Sequence, residues 1–145
     1  QLIYGGFMAG LKAAQTAPTW PDINGSMVPN GMTDMSPWVS NLVNNNLLIH
    51  FIHRGLAYLL LAIVVIFYIR SGNIPVNQTF RRYRKALLFL ILLQVMLGIF
   101  TVLNATNNHS FIWLGVSHQF TAMLLVICMV SLWYLVRRKV ADGNT

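Results

Sequence analysis

The chain has 145 residues, of which 56% are hydrophobic and only 9% are charged. Soluble domains carry about 25% charged residues, so an ordinary soluble domain is excluded. The single cysteine excludes an intrachain disulfide, and the formal net charge of +7 is explained below by membrane topology rather than by nucleic-acid binding.

Four apolar segments predict an all-α integral membrane protein, a single transmembrane four-helix bundle over residues 1–145. The predicted spans are residues 1–16, 47–69, 86–103 and 111–136. The first segment is too short to cross roughly 30 Å of hydrocarbon alone, so we expect it to be the end of a truncated helix.

Basic residues lie on one side of the predicted spans. Eight of the ten follow the second span or the last one: Arg70, Arg81, Arg82, Arg84, Lys85, Arg137, Arg138 and Lys139. The positive-inside rule therefore places both chain ends and the loop 70–85 in the cytoplasm, and we expect a bacterial cytoplasmic membrane. The expected contacts of these clusters are anionic lipid headgroups, with no nucleic acid.

The predicted external loop, residues 17–46, is rich in Pro, Trp, Met and Asn. Four prolines forbid one long helix: Pro18, Pro21, Pro29 and Pro37. Trp20 and Trp38 suit the membrane interface as aromatic anchors. A loop of this length also suits a lid over a site at the outer face, and the sequence leaves both interpretations open.

Two histidines lie at matching depth in separate spans. His53 is six residues into its span and His118 seven residues into its own, roughly 9–11 Å below the outer ends at about 1.5 Å per residue. This arrangement suits the axial ligands of one haem iron. Ala57, Gly115 and Ala122 share the faces of these histidines and leave room for a flat macrocycle, although they also suit plain helix contact.

Each histidine also has a simpler interpretation. An intramembrane histidine is often a hydrogen-bonded packing residue or part of a proton relay. His50 lies one turn above His53; it is expected to be an interfacial hydrogen-bonder and is the chief rival ligand. His109 lies in the short loop before the last span and is expected to be solvated.

Arg54 is a candidate cofactor-binding residue. It is one of two basic residues outside the cytoplasmic clusters, and arginine binds carboxylates bidentately. Either a haem propionate or an ion pair with Asp22 or Asp34 would satisfy it. Lys12 is expected to extend to the headgroups, with propionate binding as a weaker alternative.

Two patterns of small and polar residues predict inward-facing surfaces. Gly6 and Gly10 form a small-x-x-x-small motif typical of close helix approach. Gln94, Gly98 and Thr101 form a stripe on the third span, which faces inward by default in lipid. Gln94 is expected to pack against a neighbouring helix or to hydrogen-bond a cofactor.

Together these motifs resemble the haem A synthase family. The resemblance covers nearly the whole chain and matches the C-terminal half of that family. It is carried, in order, by "GGFMAGLKA" leading to "TWPDINGSMVP", then "FIHRGLAYLLL", "LLQVMLGIFTVL" and "GVSHQFTAMLLV".

The resemblance implies an eight-span pseudo-repeat of two four-helix halves, each able to hold a haem between histidines of its second and fourth helices. The whole protein would be an oxidoreductase that oxidises a methyl group of haem O to the formyl of haem A for cytochrome oxidase biogenesis. This half would hold a b-type haem, with His53 and His118 as axial ligands of the iron. The substrate haem O is associated with the other half, where a glutamate is implicated, and no catalytic residue is assigned here.

The chain departs from the family pattern at three places. Asn44 stands where a glutamate is frequent, Ile52 where an acidic residue is frequent and His50 where a glutamine is frequent. The missing carboxylates favour a cofactor-holding role over acid–base chemistry.

The implied partners are haem, the lipid bilayer, the N-terminal half of the same protein, and haem O synthase or a second copy. Two other functions stay open: a membrane b-type cytochrome that only passes electrons, and a transporter or assembly factor that uses the histidines for protons or metal.

Overall fold

The computed structural model describes residues 1–73 and 77–142, and this part of the chain is helical with no strand beyond one isolated bridge, Ile23 to Ser26. The α-helices are α1 Leu2–Gly10, α2 Ala13–Thr16, α3 Asn41–Asn44, α4 Asn46–Arg70, α5 Gln78–Leu103 and α6 Asn108–Asp142. Short 3-10 turns occupy Trp38–Ser40 and Ser71–Asn73.

Three helices in the described residues are long and apolar enough to cross a membrane: α4, α5 and the part of α6 from Asn108 to Arg137. They carry outward-facing residues such as Leu59, Ile63 and Phe89, each more than half exposed, as lipid-facing helices require. The chain is therefore an integral membrane protein with an all-helical fold.

The first apolar segment is broken in two. α1 has nine residues and α2 has four, and Lys12 between them adopts left-handed backbone angles, with φ of 50°. This break changes the direction of the chain, so the predicted first span is two short helices in the structure, and three helices rather than four have spanning length among the described residues.

α5 begins before the predicted third span. It starts at Gln78, eight residues ahead of Ala86, and the side chain of Asn77 accepts a hydrogen bond from the N–H of Phe80 as its N-cap. Arginine and lysine are good helix formers, so the basic run continues the helix instead of forming a loop. Residues 81–85 thus lie on the first turns of α5.

α5 is the central helix of the bundle. It packs along α6 over the largest contact and also against α4, while α1 and α2 pack against α4. The main buried cluster of the bundle is formed by residues of α4, α5 and α6: Val64, Phe80, Leu87, Ile91, Leu125, Cys128 and Leu132. Among the described residues, α4 and α6 have at most marginal backbone proximity to each other, so side chains must bridge them.

Two asparagines organise the connection between α2 and α4, residues 17–45. The side-chain oxygen of Asn45 caps α4 by accepting from the N–H groups of Leu47 and Leu48. Its amide nitrogen donates to the Gly31 carbonyl at 2.7 Å and to the side-chain oxygen of the fully buried Asn41 at 3.0 Å. These bonds fix residues 31–45 against the start of α4.

Candidate functional site

The imidazoles of His53 on α4 and His118 on α6 meet between the two helices. Their ring centroids are 6.5 Å apart and the ring planes are inclined by 65°. Both side chains are partly buried. The two residues therefore form a side-chain contact between helices whose backbones have at most marginal proximity in the described residues.

This spacing is close to that of two imidazoles on opposite sides of one metal ion. Metal–nitrogen bonds of about 2.0–2.1 Å, with the ring centre about 1.2 Å behind each nitrogen, put the centroids about 6.4–6.6 Å apart. Edge-to-face aromatic pairs span about 4.5–7 Å, so the distance alone does not define a ligand site. The polar atoms around the rings are therefore needed to distinguish a ligand site from an ordinary aromatic contact.

Unpaired buried polar atoms concentrate around the two histidines. Of five such side-chain atoms in the described part of the chain, four belong to this end of the bundle: Gln1 Oε1, His50 Nδ1, His53 Nδ1 and Gln94 Oε1. The fifth, Arg84 Nε, lies on the basic first turns of α5. Native structures leave few buried polar groups unpaired, so this clustering is expected where a ligand completes the site.

Gln94 of α5 contacts both nitrogens of the His118 ring. The backbone carbonyl of Gln94 lies 3.1 Å from Nδ1, and its amide nitrogen lies 3.0 Å from Nε2. A carbonyl only accepts and an amide nitrogen only donates, so Nδ1 carries the proton and Nε2 presents its lone pair. This is the tautomer that a metal ligand bonded through Nε2 requires.

Gly98 lies one turn after Gln94 and makes room for the same ring. A Cβ atom at Gly98 would stand 3.0 Å from His118 Cε1, closer than the ring could accept without moving. The inward-facing stripe predicted on this helix therefore meets His118 at two of its positions. Its third position, Thr101, hydrogen-bonds the Leu97 carbonyl of its own helix.

His53 has a similar but looser environment. The side-chain amide nitrogen of Gln1 lies 3.4 Å from Nε2, and Nδ1 has no partner. Gly5 of α1 faces the ring: a Cβ atom at Gly5 would stand 3.5 Å from His53 Cε1. A Cβ atom at Gly6 or Gly10 would meet nothing within 4 Å in the described residues. The close approach predicted for Gly6 and Gly10 is thus made by Gly5.

Arg54 points toward the 17–45 connection. Its Nε donates to His50 Nε2 at 2.9 Å, and its terminal nitrogens donate to the backbone carbonyls of Thr19, Pro21 and Asp22. These hydrogen bonds go to carbonyls and an imidazole rather than to a carboxylate. His50, only 1% exposed, is engaged with Arg54 rather than with His118.

The remaining candidates differ in their exposure. His109 is exposed on the first turn of α6, beside Trp113 at 6.5 Å between ring centroids. Lys12 is exposed at the break between α1 and α2. Gly115 faces open space, and Ala57 and Ala122 are partly buried.

The donor set is too small for a bare metal ion. Among the described residues, no group of three or more His, Cys, Asp or Glu side chains is placed to hold one. Two imidazoles from separate helices, 6.5 Å apart between centroids, suit a metal whose other ligands come from a planar macrocycle, as in haem. The residues present therefore fit a haem iron.

Sequence reasoning missed the contacts that Gln1 and Gly5 make with His53. Both precede the predicted loop in a segment whose broken path has no clear periodic signal. For Gln94 the signal was present, because a polar side chain in an apolar span needs a partner.

Residues 1–130 match the family model described as "Cytochrome oxidase assembly protein". The chain belongs to this family. Its relatives include the "Heme A synthase" of Brucella suis, 33% identical over 133 residues, and that of Brucella anthropi, 34% identical over 133 residues. Membership of the haem A synthase family, predicted from the motifs, is confirmed.

These matches cover most of this chain but little of each relative. Both alignments span 92% of this chain and 36% of the relative, so the chain spans about a third of the length of the curated relatives that it matches. No solved structure matches the chain.

Proposed function

We propose that this chain is the part of a haem A synthase that holds a b-type haem, with His53 and His118 as the axial ligands. The single observation that supports this most strongly is the pair of imidazoles, 6.5 Å apart between centroids, on two helices whose backbones have at most marginal proximity in the described residues. Gln1 and Gln94, which contact these two rings, each have a buried side-chain oxygen without a partner in the described residues, and this adds support.

The histidines of the chain would hold and tune the cofactor. A bound haem supplies one-electron redox chemistry that protein side chains lack. The Gln94 carbonyl, 3.1 Å from Nδ1 of His118, orients that ring and increases the basicity of Nε2. Partial burial between apolar helices lowers the local dielectric around the rings, which affects the reduction potential.

The whole protein would oxidise a methyl group of haem O to the formyl group of haem A. The three acidic residues of this chain are Asp22, Asp34 and Asp142, and none lies beside the two histidines in sequence. General acid–base work on a substrate methyl would therefore fall to residues outside this chain. The chain's own contribution would be a fixed redox centre.

The site would lie in the outer half of a bacterial cytoplasmic membrane. The two histidines are near the ends of α4 and α6 that face the 17–45 connection and the short loop before α6. The basic residues 81–85 and Arg137 are at the opposite ends of their helices. Under the positive-inside rule those basic ends would face the cytoplasm.

The absence of acidic residues from the membrane-spanning sequences also suits a b-type cytochrome that only passes electrons.

The experiment that separates the two functions expresses the complete reading frame in bacteria that make haem O but no haem A, and separates the extracted haems by chromatography. We expect haem A with the wild type and less than a tenth as much with His53→Ala or His118→Ala. Bound b-type haem without any haem A would favour the electron carrier and overturn the synthase assignment.

A further inference from the structure

The geometry points to Gln94 as the positioning residue of His118, which holds the ring in its ligating tautomer and covers Nε2 until iron binds. This inference rests on the proposed function. Gln94 acts through His118 and makes two contacts with it, one from its backbone and one from its side chain. The two contacts have opposite consequences for haem binding.

The backbone contact prepares the ring. The carbonyl of Gln94 can only accept, so Nδ1 of His118 must donate to it. This bond survives any substitution of the Gln94 side chain. It keeps the lone pair on Nε2 and fixes the ring about its Cβ–Cγ bond, while Gly98 leaves the space that the ring occupies.

The side-chain contact competes with iron. The amide nitrogen of Gln94, 3.0 Å from Nε2, uses the same lone pair that an iron–nitrogen bond needs, so the two bonds exclude each other. This amide bond leaves the oxygen of the same side chain unsatisfied, because Gln94 Oε1 is buried with no hydrogen-bond partner in the described residues. The amide therefore covers the ligand atom without being fully satisfied, and it is expected to move aside when haem enters.

Removing this amide should make haem binding easier. A site that is competent only when uncovered binds its ligand more weakly in proportion to the uncovered fraction. One net hydrogen bond corresponds to about a fivefold change in an equilibrium constant. We expect Gln94→Met, which keeps the side-chain length and removes the amide, to bind ferric haem b about fivefold more tightly.

The experiment uses the full-length protein made in haem-depleted cells and titrated in detergent with ferric haem b. The signal followed is the low-spin absorbance that is missing from His118→Ala. Gln119→Met is the matched control, since Gln119 is an exposed glutamine beside His118 on α6. Equal or weaker haem binding by Gln94→Met, relative to this control, would overturn the covering role.

A second readout does not depend on haem. Nitrogen-15 spectra of the histidine-labelled apoprotein, assigned by the signals lost in His118→Ala, report which ring nitrogen is protonated. We expect a protonated Nδ1 in both the wild type and Gln94→Met, and a downfield shift of Nε2 only in the variant. An unshifted Nε2, or a proton on Nε2, overturns the inference.

The two readouts separate the possible failures. If the wild type forms no low-spin haem that depends on His118, the proposed function fails, and the nitrogen-15 spectra alone decide whether Gln94 positions this ring. If the wild type forms that haem but Gln94→Met behaves like Gln119→Met in either readout, the proposed function stands and the Gln94 inference fails.

Discussion

Arg54 donates from Nε to Nε2 of His50 at 2.9 Å, one helical turn earlier on α4. The same guanidinium holds carbonyls of the 17–45 connection, so this bond is part of a larger set that would have to be rearranged together. Nε2 of His53 meets only a neutral amide at 3.4 Å. Of two imidazoles one turn apart, His53 is therefore less engaged by hydrogen bonds, and it is also the one whose ring pairs with His118.

The role of Arg54 in holding the connection can be tested with Arg54→Lys. Lysine keeps the charge but lacks the planar fork that reaches three carbonyls and His50 at once. We expect residues 18–25 to exchange amide hydrogens faster and the free energy of unfolding to fall by about 2 kcal/mol. Hydrogen exchange followed by mass spectrometry measures the first effect.

Arg81→Lys is the control for that substitution, because Arg81 is exposed on the first turns of α5. Unchanged exchange in residues 18–25, together with weaker haem binding, would contradict the account. That result would assign Arg54 to a haem propionate, as one interpretation of the sequence has it.

A pair of glycines tests the space around His118. A Cβ at Gly98 would stand 3.0 Å from Cε1 of that ring, whereas Gly115 meets nothing within 4 Å. Overpacking costs about 1–3 kcal/mol, so Gly98→Ala should destabilise the protein and reduce the low-spin haem content. Gly115→Ala should be neutral or stabilising by up to about 1 kcal/mol. Unfolding monitored by circular dichroism compares them; equal free energies of unfolding of the two variants would refute the packing argument.

Neighbouring asparagines test the entry to α4. Asn45 caps the helix and donates to Gly31 and Asn41, whereas Asn44 is exposed. We expect Asn45→Ala to lower the free energy of unfolding by about 2 kcal/mol, from the lost cap and the unpaired buried groups. Asn44→Ala should change it by less than about 0.5 kcal/mol. Asn45→Asp keeps the capping oxygen and loses the two donated bonds, so its free energy of unfolding should lie between those of Asn44→Ala and Asn45→Ala. Any other order of the three variants would show that the cap does not organise the connection.

The spans and the paired histidines could be predicted from the sequence because both follow from regular helix geometry. Apolar length defines a span, and a constant rise per residue gives each histidine a depth. The same reasoning misplaced the start of α5, since hydropathy marks only the apolar part of a helix and the basic residues from Arg81 belong to the same helix.

The hydrogen-bond partners of Arg54 could not be predicted from helix geometry. They are backbone carbonyls of an irregular segment, and no residue type marks which carbonyl a guanidinium will reach. The small-residue motif found the correct helix but the wrong face, because Gly5 rather than Gly6 or Gly10 meets His53. The break at Lys12 turns the chain, so a periodicity extended through it does not describe the packed face.

The most direct measurement is the number of low-spin haems per molecule in the protein expressed from its complete reading frame, by haem extraction and electron paramagnetic resonance. We expect His53→Ala and His118→Ala each to lose one low-spin haem equivalent, while His109→Ala keeps the wild-type number. Loss in His50→Ala with retention in His53→Ala would transfer the ligand to the other imidazole of α4. An unchanged low-spin signal in both His53→Ala and His118→Ala would contradict the account.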